Sequence, residues 1–166
     1  SVTYTSTLVK ANWSDGQRVI ADDFVCAWNR AANIVNNATY RTMFDCIRGY
    51  SDDPGMVLAM EAKDDKTLSV TLNHDLAYWN ELLAFPALFP LRRSFMASHA
   101  QNDYAWKSDM GSFLYNGPYV IKEFSPETYD GEPAVLVMSK RSDYPFAKDI
   151  TVDEIRMVFD RSTDDQ

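Results

Sequence analysis

Apolar and polar residues alternate in several short segments of the chain, and this period of two predicts β-strands with one buried face. The clearest case is "TLSVTL", where Leu68, Val70 and Leu72 alternate with threonine and serine. It follows "MVLAMEA" across a polar turn at residues 63–66, so the two segments predict an antiparallel hairpin. Further strands are predicted over residues 2–9, 119–124, 134–139 and 152–159, the second and third of which form another antiparallel pair.

Apolar residues at helical spacing predict helices between these strands. The first helix begins at Asp23, where acidic side chains suit the positive end of a helix, and carries Phe24, Trp28 and Val35 on its apolar face. Strand pairs interspersed with helices indicate a mixed α/β or α+β fold. Three further helices are predicted over residues 40–47, 76–85 and 92–101.

The sequence "WSDG" at residues 13–16 predicts a tight turn after the first strand. Asp15 can accept a hydrogen bond from its local backbone, and Gly16 can adopt a positive φ at no steric cost. Trp13 is expected to end the strand as a large apolar plug, with Trp28 packing back from the helix. Burial of each indole contributes about 3 kcal/mol, so the stretch is predicted to be a scaffold element.

Composition narrows the classes of function. The chain has 166 residues, 46% of them hydrophobic, which is enough for the packed core of one domain or two small lobes. A net charge of −8 with scattered basic residues argues against nucleic acid as a partner. No apolar run reaches the length of about 20 residues that crosses a bilayer, and no signal peptide opens the chain. The sequence is therefore expected to be a mature or excised segment.

Residues suited to metal binding or catalysis are sparse. His74 and His99 lie far apart, outside any cluster with ligand spacing, so neither a metal nor another cofactor is predicted. No Gly-x-Ser-x-Gly elbow is present, and an enzyme is not predicted. Cys26 and Cys46 leave two alternatives open: a disulfide, which an exported protein permits, or two buried free thiols.

The stretch "FLYNGPYVI" at residues 113–121 is a candidate binding segment. Asn116 offers a donor and an acceptor at a loop position, which suits a peptide backbone or another polar ligand. The alternative is a plain type I or II turn before a strand, with both tyrosines as packing residues. On the residues alone, the plain turn is the favoured alternative.

Four stretches taken together resemble the extracellular solute-binding proteins that serve peptide and nickel ABC importers (family 5, oligopeptide-binding-protein-like). They follow one another in the order and at the spacing of that family, and extend from residue 4 to residue 159. The stretches are "NWSDGQRVIADDFVCAWNRAAN", "MEAKDDKTLSVTLNHDLAYWNELLAFPALFPL", "YNGPYVIKEF" and "VLVMSKRSDYPFA".

The resemblance implies that residues 1–166 are one lobe region of a hinged, bilobal clamp of the type II periplasmic-binding-protein kind, with antiparallel hairpins and short helices. Approximate sub-parts are 1–90, with the first helices and hairpin, and 91–166, with the second strand pair. The clamp is expected to bind extracellular oligopeptides and deliver them to ABC permease subunits. An extracellular or periplasmic location follows, with the full-length protein anchored at the cell surface. Alternatives are a receptor for nickel, haem or sugar oligomers, or a structural or interaction domain without transport.

Carried onto this sequence, the ligand-facing positions implied by the resemblance are Asn116, Gly117 and Tyr119, together with Tyr40 near the start of the second helix. Because the chain covers only an internal part of the family pattern, without its second lobe, weak or no binding by the chain alone is expected. Apolar surface left bare by the missing part is expected to favour self-association.

The sequence departs from the family pattern at three positions. Ile20 stands where the family has Thr or Ser as a helix N-cap, and Asp22 is expected to substitute, at a cost of about 1 kcal/mol. Arg141 lies near the usual Asn, and Phe146 replaces Trp.

Overall fold

The computed structural model describes residues 1–98, 113–126 and 132–159. The chain divides into two compact units. Unit 1 consists of Ser1–Val9 and Val19–Ala105, and unit 2 consists of Lys10–Arg18 and Trp106–Gln166. The short segment Lys10–Arg18 therefore belongs to the unit that is built mainly from the later part of the chain.

Unit 1 contains an antiparallel sheet in which the last strand along the chain is central. Its strands are β1 (Val2–Thr7), β2 (Met60–Asp64) and β3 (Thr67–Leu72), in the order β1-β3-β2. The predicted hairpin is confirmed: Lys66 N donates to Asp64 Oδ1 at 2.7 Å in the turn, although β2 begins at Met60, later than predicted. Ser69, predicted to face water, is only 8% exposed and lies in the central strand of the sheet.

Helix α1 (Ala21–Ala32) begins two residues before the predicted start and buries Ala27, Trp28 and Ala32. The prediction for Val35 was wrong, since this side chain is 72% exposed. The helix ends early because the Asn33 side chain accepts a hydrogen bond from Val35 N at 2.9 Å and begins a separate 3-10 turn. Asparagine commonly competes with helical hydrogen bonding in this way.

The later helices of unit 1 are shorter than the apolar pattern predicted. The segment 40–47 contains only a 3-10 turn, Arg41–Phe44, yet Phe44 and Ile47 are both fully buried as expected. Residues 99–101 of the last predicted helix lie outside the described residues. The remaining helical elements are α2 (Trp79–Leu83), a 3-10 turn at Pro86–Leu88 and α3 (Arg93–Ser98). Among the described residues, no helix has the length and apolar character needed to cross a bilayer.

The core of unit 1 is centred on Trp28, which is 1% exposed. Its ring packs edge-on against Trp79 with 6.1 Å between centroids, and Phe44 lies at 6.2 Å. The indole Nε1 donates to the carbonyl of Leu88 at 2.7 Å, so burial leaves this donor satisfied. The core thus joins α1 to the segments that follow the hairpin.

Unit 2 contains the second antiparallel sheet, in the order β4-β5-β6. The pairing of the first two strands is confirmed, with Tyr119 opposite Lys140. The sequence predicted the third strand but not its partner, which is β5. The strands are β4 (Tyr119–Ser125), β5 (Ala134–Lys140) and β6 (Glu154–Phe159).

The Trp-Ser-Asp-Gly turn also lies in unit 2, and its predicted geometry is confirmed. Gly16 has a φ of +86° and donates its N–H to Trp13 O at 2.9 Å. Gln17 N donates to Asp15 Oδ1 at 3.1 Å. Trp13 is 2% exposed, so its predicted burial is confirmed, but β1 ends at Thr7 and Trp13 does not end that strand. The ring of Trp28 instead packs against Phe44 and Trp79 of unit 1.

Candidate functional site

The loop at residues 113–118, here called the NGP loop, leads directly into β4. The N–H of Tyr115 donates to Ser14 Oγ at 3.1 Å, so the serine of the Trp-Ser-Asp-Gly turn supports the loop. The described residues of the loop are half-buried. The loop is therefore an ordered part of unit 2 that retains some access to solvent.

Arg141 is the main support of the NGP loop, and its side chain is only 5% exposed. Its Nη1 donates to the carbonyls of Tyr115 at 2.8 Å and Gly117 at 3.3 Å. Its Nη2 donates to Asn12 O at 3.0 Å and to Asp143 Oδ2 at 2.8 Å, and its Nε donates to Asp143 Oδ1 at 3.0 Å. The buried charge is therefore both paired and hydrogen-bonded, which offsets the cost of removing it from water.

Sequence reasoning noted Arg141 only as a departure from the family pattern and missed its structural role. The available signal was the Arg-x-Asp spacing of Arg141 and Asp143 directly after a predicted strand. This spacing permits a bidentate pair between guanidinium and carboxylate. The hydrogen bonds from Arg141 hold the pKa of Asp143 below its usual value, so the carboxylate is ionised at neutral pH.

Asn116 is the polar side chain of the NGP loop best suited to contact a ligand. It is half-buried and, within the part of the chain that the structure describes, its side chain makes no hydrogen bond. The backbone carbonyls on either side of it, those of Tyr115 and Gly117, are held by Arg141. Such a carboxamide on an immobilised backbone can donate to and accept from a peptide group without the conformational-entropy cost of ordering the loop.

Gly117 lies beside open space. A Cβ placed on it meets no atom within 4 Å, and its φ is outside the left-handed region. The fold therefore does not require glycine at this position. The absence of a side chain leaves room for the close approach of another backbone.

The two tyrosines of the segment have different environments. Tyr119 donates its hydroxyl to Val152 O at 2.9 Å, which ties β4 to the segment before β6. The Tyr115 hydroxyl is buried and has no hydrogen-bond partner among the described residues. Burial raises the pKa of Tyr115. The structure thus gives Tyr119 a structural contact that sequence reasoning did not anticipate.

Tyr40 belongs to unit 1, so the structure places it in a different compact unit from the other three predicted positions. Its side chain is 53% exposed and packs edge-on against Phe85, with 5.0 Å between ring centroids. The neighbouring Arg41 is held by the carbonyl of Ala32, at 2.8 Å from its Nε, and lies over the Tyr50 ring at 4.5 Å. Tyr40 is therefore an exposed aromatic residue on a well-supported turn.

Cys26 and Cys46 are free thiols in the structure, with Cys46 buried and Cys26 half-buried. Burial raises the pKa of both thiols. Each is therefore protonated at neutral pH, the form that is a poor nucleophile and a poor metal ligand.

A metal-binding arrangement is not found within residues 1–98, 113–126 and 132–159, where no three His, Cys, Asp or Glu side chains gather around one point. His74 is exposed, and His99 lies outside the described residues.

A comparison with models of known protein families identifies the family of this chain. The family model described as "Bacterial extracellular solute-binding proteins, family 5 Middle" matches residues 1–165. The chain belongs to this family. Family 5 proteins are extracellular solute-binding proteins, which agrees with the resemblance carried by the four sequence stretches.

Individual family 5 relatives differ in their named ligands. The chain is 30% identical over 177 aligned residues to the oligopeptide-binding protein AliB of Streptococcus pneumoniae, which covers 99% of this chain and 26% of AliB. It is 32% identical over 121 residues to the probable deoxycholate-binding periplasmic protein YgiS of Escherichia coli, which covers 68% of this chain and 22% of YgiS.

A solved family 5 structure confirms the fold. The peptide-bound OppA of Listeria monocytogenes superposes with a TM-score of 0.78 at 31% identity, covering 95% of this chain and 30% of OppA. The mixed α/β architecture with antiparallel sheets is thus that of an oligopeptide-binding protein. The chain spans about a quarter to a third of the relatives that it matches.

Proposed function

We propose that the full-length protein containing this chain is the substrate-binding component of an ABC importer and binds extracellular oligopeptides. The observation that carries the proposal is the NGP loop, where the Asn116 carboxamide makes no hydrogen bond to the described residues and stands on a backbone held by Arg141. The relatives named for oligopeptides, and the peptide in the Listeria structure, support this ligand class. Family 5 proteins bind solutes, so the proposed role is non-enzymatic.

In this proposal, Asn116 and Gly117 contact the backbone of the peptide, while Tyr119 orients the start of β4. Recognition through backbone groups is independent of peptide sequence and suits a receptor of broad specificity. Tyr40, on unit 1, is proposed to contact an apolar side chain of the ligand because its exposed ring already packs against Phe85.

The partners of the full-length protein are proposed to be the permease subunits of the importer, and its site the extracellular or periplasmic face of the membrane, where it is anchored to the cell surface. Cell fractionation tests the anchoring, and recovery of the receptor only in the soluble fraction would contradict it.

The isolated chain is proposed to self-associate through β6, where Met157, Val158 and Phe159 are 42%, 54% and 49% exposed. Light scattering over a concentration series tests this, and a constant monomeric mass would contradict it.

The central experiment is calorimetric titration of the full-length receptor with a pool of peptides of two to five residues. We expect saturable binding by the native protein and an affinity about fivefold lower in Asn116→Ala, since a hydrogen bond contributes about 1 kcal/mol. Gly117→Val is expected to keep the fold and to lose more affinity, because its side chain would occupy the open space beside the loop.

Asn80→Ala is the matched control, because Asn80 is exposed on α2 and the same atoms are removed. It is expected to bind as the native protein does. Absence of peptide binding by the native receptor would overturn the proposed function. Equal affinity in Asn116→Ala and Asn80→Ala would instead show that Asn116 is not a ligand contact. Titration with deoxycholate tests a bile acid as the competing ligand class. It is included because the relative YgiS is named for deoxycholate binding.

A further inference from the structure

The hydrogen bonds of Arg141 account for every N–H of its guanidinium group. The group has five N–H donors. One, from Nε, goes to Asp143, two from Nη1 go to Tyr115 and Gly117, and two from Nη2 go to Asn12 and Asp143. No other side chain type offers five donors in a rigid plane, so this arrangement is specific to arginine.

The carbonyls that Arg141 binds come from separate parts of unit 2. Asn12 precedes the Trp-Ser-Asp-Gly turn, while Tyr115 and Gly117 flank Asn116 in the NGP loop. The backbone N–H of Arg141 also donates to Pro118 O at 2.8 Å. The carbonyls of the residues before and after Asn116 are therefore held by a single residue, which is itself oriented by the carboxylate of Asp143.

We propose that Arg141 is a positioning residue for ligand binding: it fixes the backbone of the NGP loop so that the Asn116 carboxamide is presented to the ligand. Asp143 orients the guanidinium, and Arg141 itself makes no contact with the ligand. This inference rests on the proposed function for its consequence in binding, but the ordering of the loop can be measured without any ligand.

Hydrogen–deuterium exchange on the full-length receptor tests the ordering. In Arg141→Gln, we expect the amides of residues 113–117 and of the turn at 13–16 to exchange at least tenfold faster, while β4 and β5 keep their protection. Arg141→Lys is expected to fall between the native protein and Arg141→Gln, because an ammonium has three donors and cannot satisfy all the acceptors. Circular dichroism verifies that each variant is folded.

The matched control is Arg156→Gln, which removes an exposed arginine of β6 in the same unit and is expected to leave exchange unchanged. Asp143→Asn provides a second, milder variant that retains the guanidinium and its carbonyl contacts. It is expected to accelerate exchange of the same residues several-fold. If Arg141→Gln does not fold, this variant tests whether the Arg141–Asp143 pair orders the NGP loop.

Titration with the same peptide pool supplies the second measurement. Arg141→Gln is expected to bind at least tenfold more weakly than the native receptor, with Arg156→Gln unaffected. Unchanged exchange at residues 113–117 would overturn the positioning role, as would equal acceleration throughout β4 and β5. A native receptor that binds no peptide would instead refute the proposed function, and the exchange result would still decide whether Arg141 orders the loop.

Discussion

Gly49 and Gly16 differ in how strongly the structure restricts replacement by a residue with a side chain. Gly49 has a φ of +92°, and a Cβ placed on it would lie 2.3 Å from the carbonyl oxygen of Val57. Gly16 has a φ of +86°, but a Cβ placed on it would meet no atom within 4 Å. The first position requires glycine for both conformation and space, while the second requires it for conformation alone.

We therefore expect Gly49→Ala to destabilise unit 1 by about 3 kcal/mol or more, because it combines left-handed strain with a backbone clash. Gly16→Ala is the matched control and should cost about 1 kcal/mol, the conformational part alone. Urea denaturation followed by tryptophan fluorescence measures both. Equal losses in the two variants would show that the backbone near Val57 moves to accommodate the methyl group.

At the scale of the element, the start of α1 shows how neighbouring acids can have different roles. Asp23 is 2% exposed, and its carboxylate accepts from Ile20 N at 3.1 Å and from Arg93 N at 3.2 Å. The expectation that Asp22 replaces the missing N-cap was wrong, since Asp22 instead forms a bidentate ion pair with the Arg93 guanidinium. Asp23 thus satisfies an amide at the entry of α1 and another at the start of α3.

Asp23→Ala is expected to destabilise the protein by about 2–3 kcal/mol, because it leaves two partly buried amides without their acceptor. Asp22→Ala should cost less than about 1 kcal/mol, because the Asp22–Arg93 pair is exposed to solvent. Chemical denaturation of the two variants makes the comparison directly. A greater loss in Asp22→Ala would restore Asp22 as the residue that supports the helix start.

At the scale of the whole molecule, the fraction of the receptor that the chain represents determines the peptide affinity expected of the isolated chain. The chain covers only 26% of AliB and 30% of the Listeria OppA. A receptor that binds peptide at about 1 μM has a binding free energy of about −8 kcal/mol, and half of that leaves a millimolar affinity. Under the proposed function, the remainder of the receptor supplies further ligand contacts, and the isolated chain lacks them.

We expect calorimetric titration of the isolated chain with the peptide pool to give no saturation in the micromolar range, while the full-length receptor saturates. Circular dichroism of the same sample verifies that the chain is folded. Micromolar binding by the isolated, folded chain would show that the binding groups lie within these 166 residues.

The sequence by itself determined the features that depend on neighbours along the chain. The strand at "TLSVTL" and the Trp-Ser-Asp-Gly turn were predicted correctly, because extended conformation and turn conformation depend on local sequence. The residue types made the NGP loop a candidate binding segment but favoured a plain turn, and its order with the other stretches indicated the family. The end of α1 was mispredicted because the apolar period continues to Val35 while the Asn33 side chain ends the helix.

The tertiary structure alone decided which distant segments meet. It set the last strand beside β5, placed Lys10–Arg18 with the later part of the chain, and gave Arg141 its acceptors. Asn12 and Arg141 lie 129 positions apart, and no periodicity relates such residues. Their contact is selected by the need to pair a buried charge, and that need exists only once the surrounding elements have packed and excluded water.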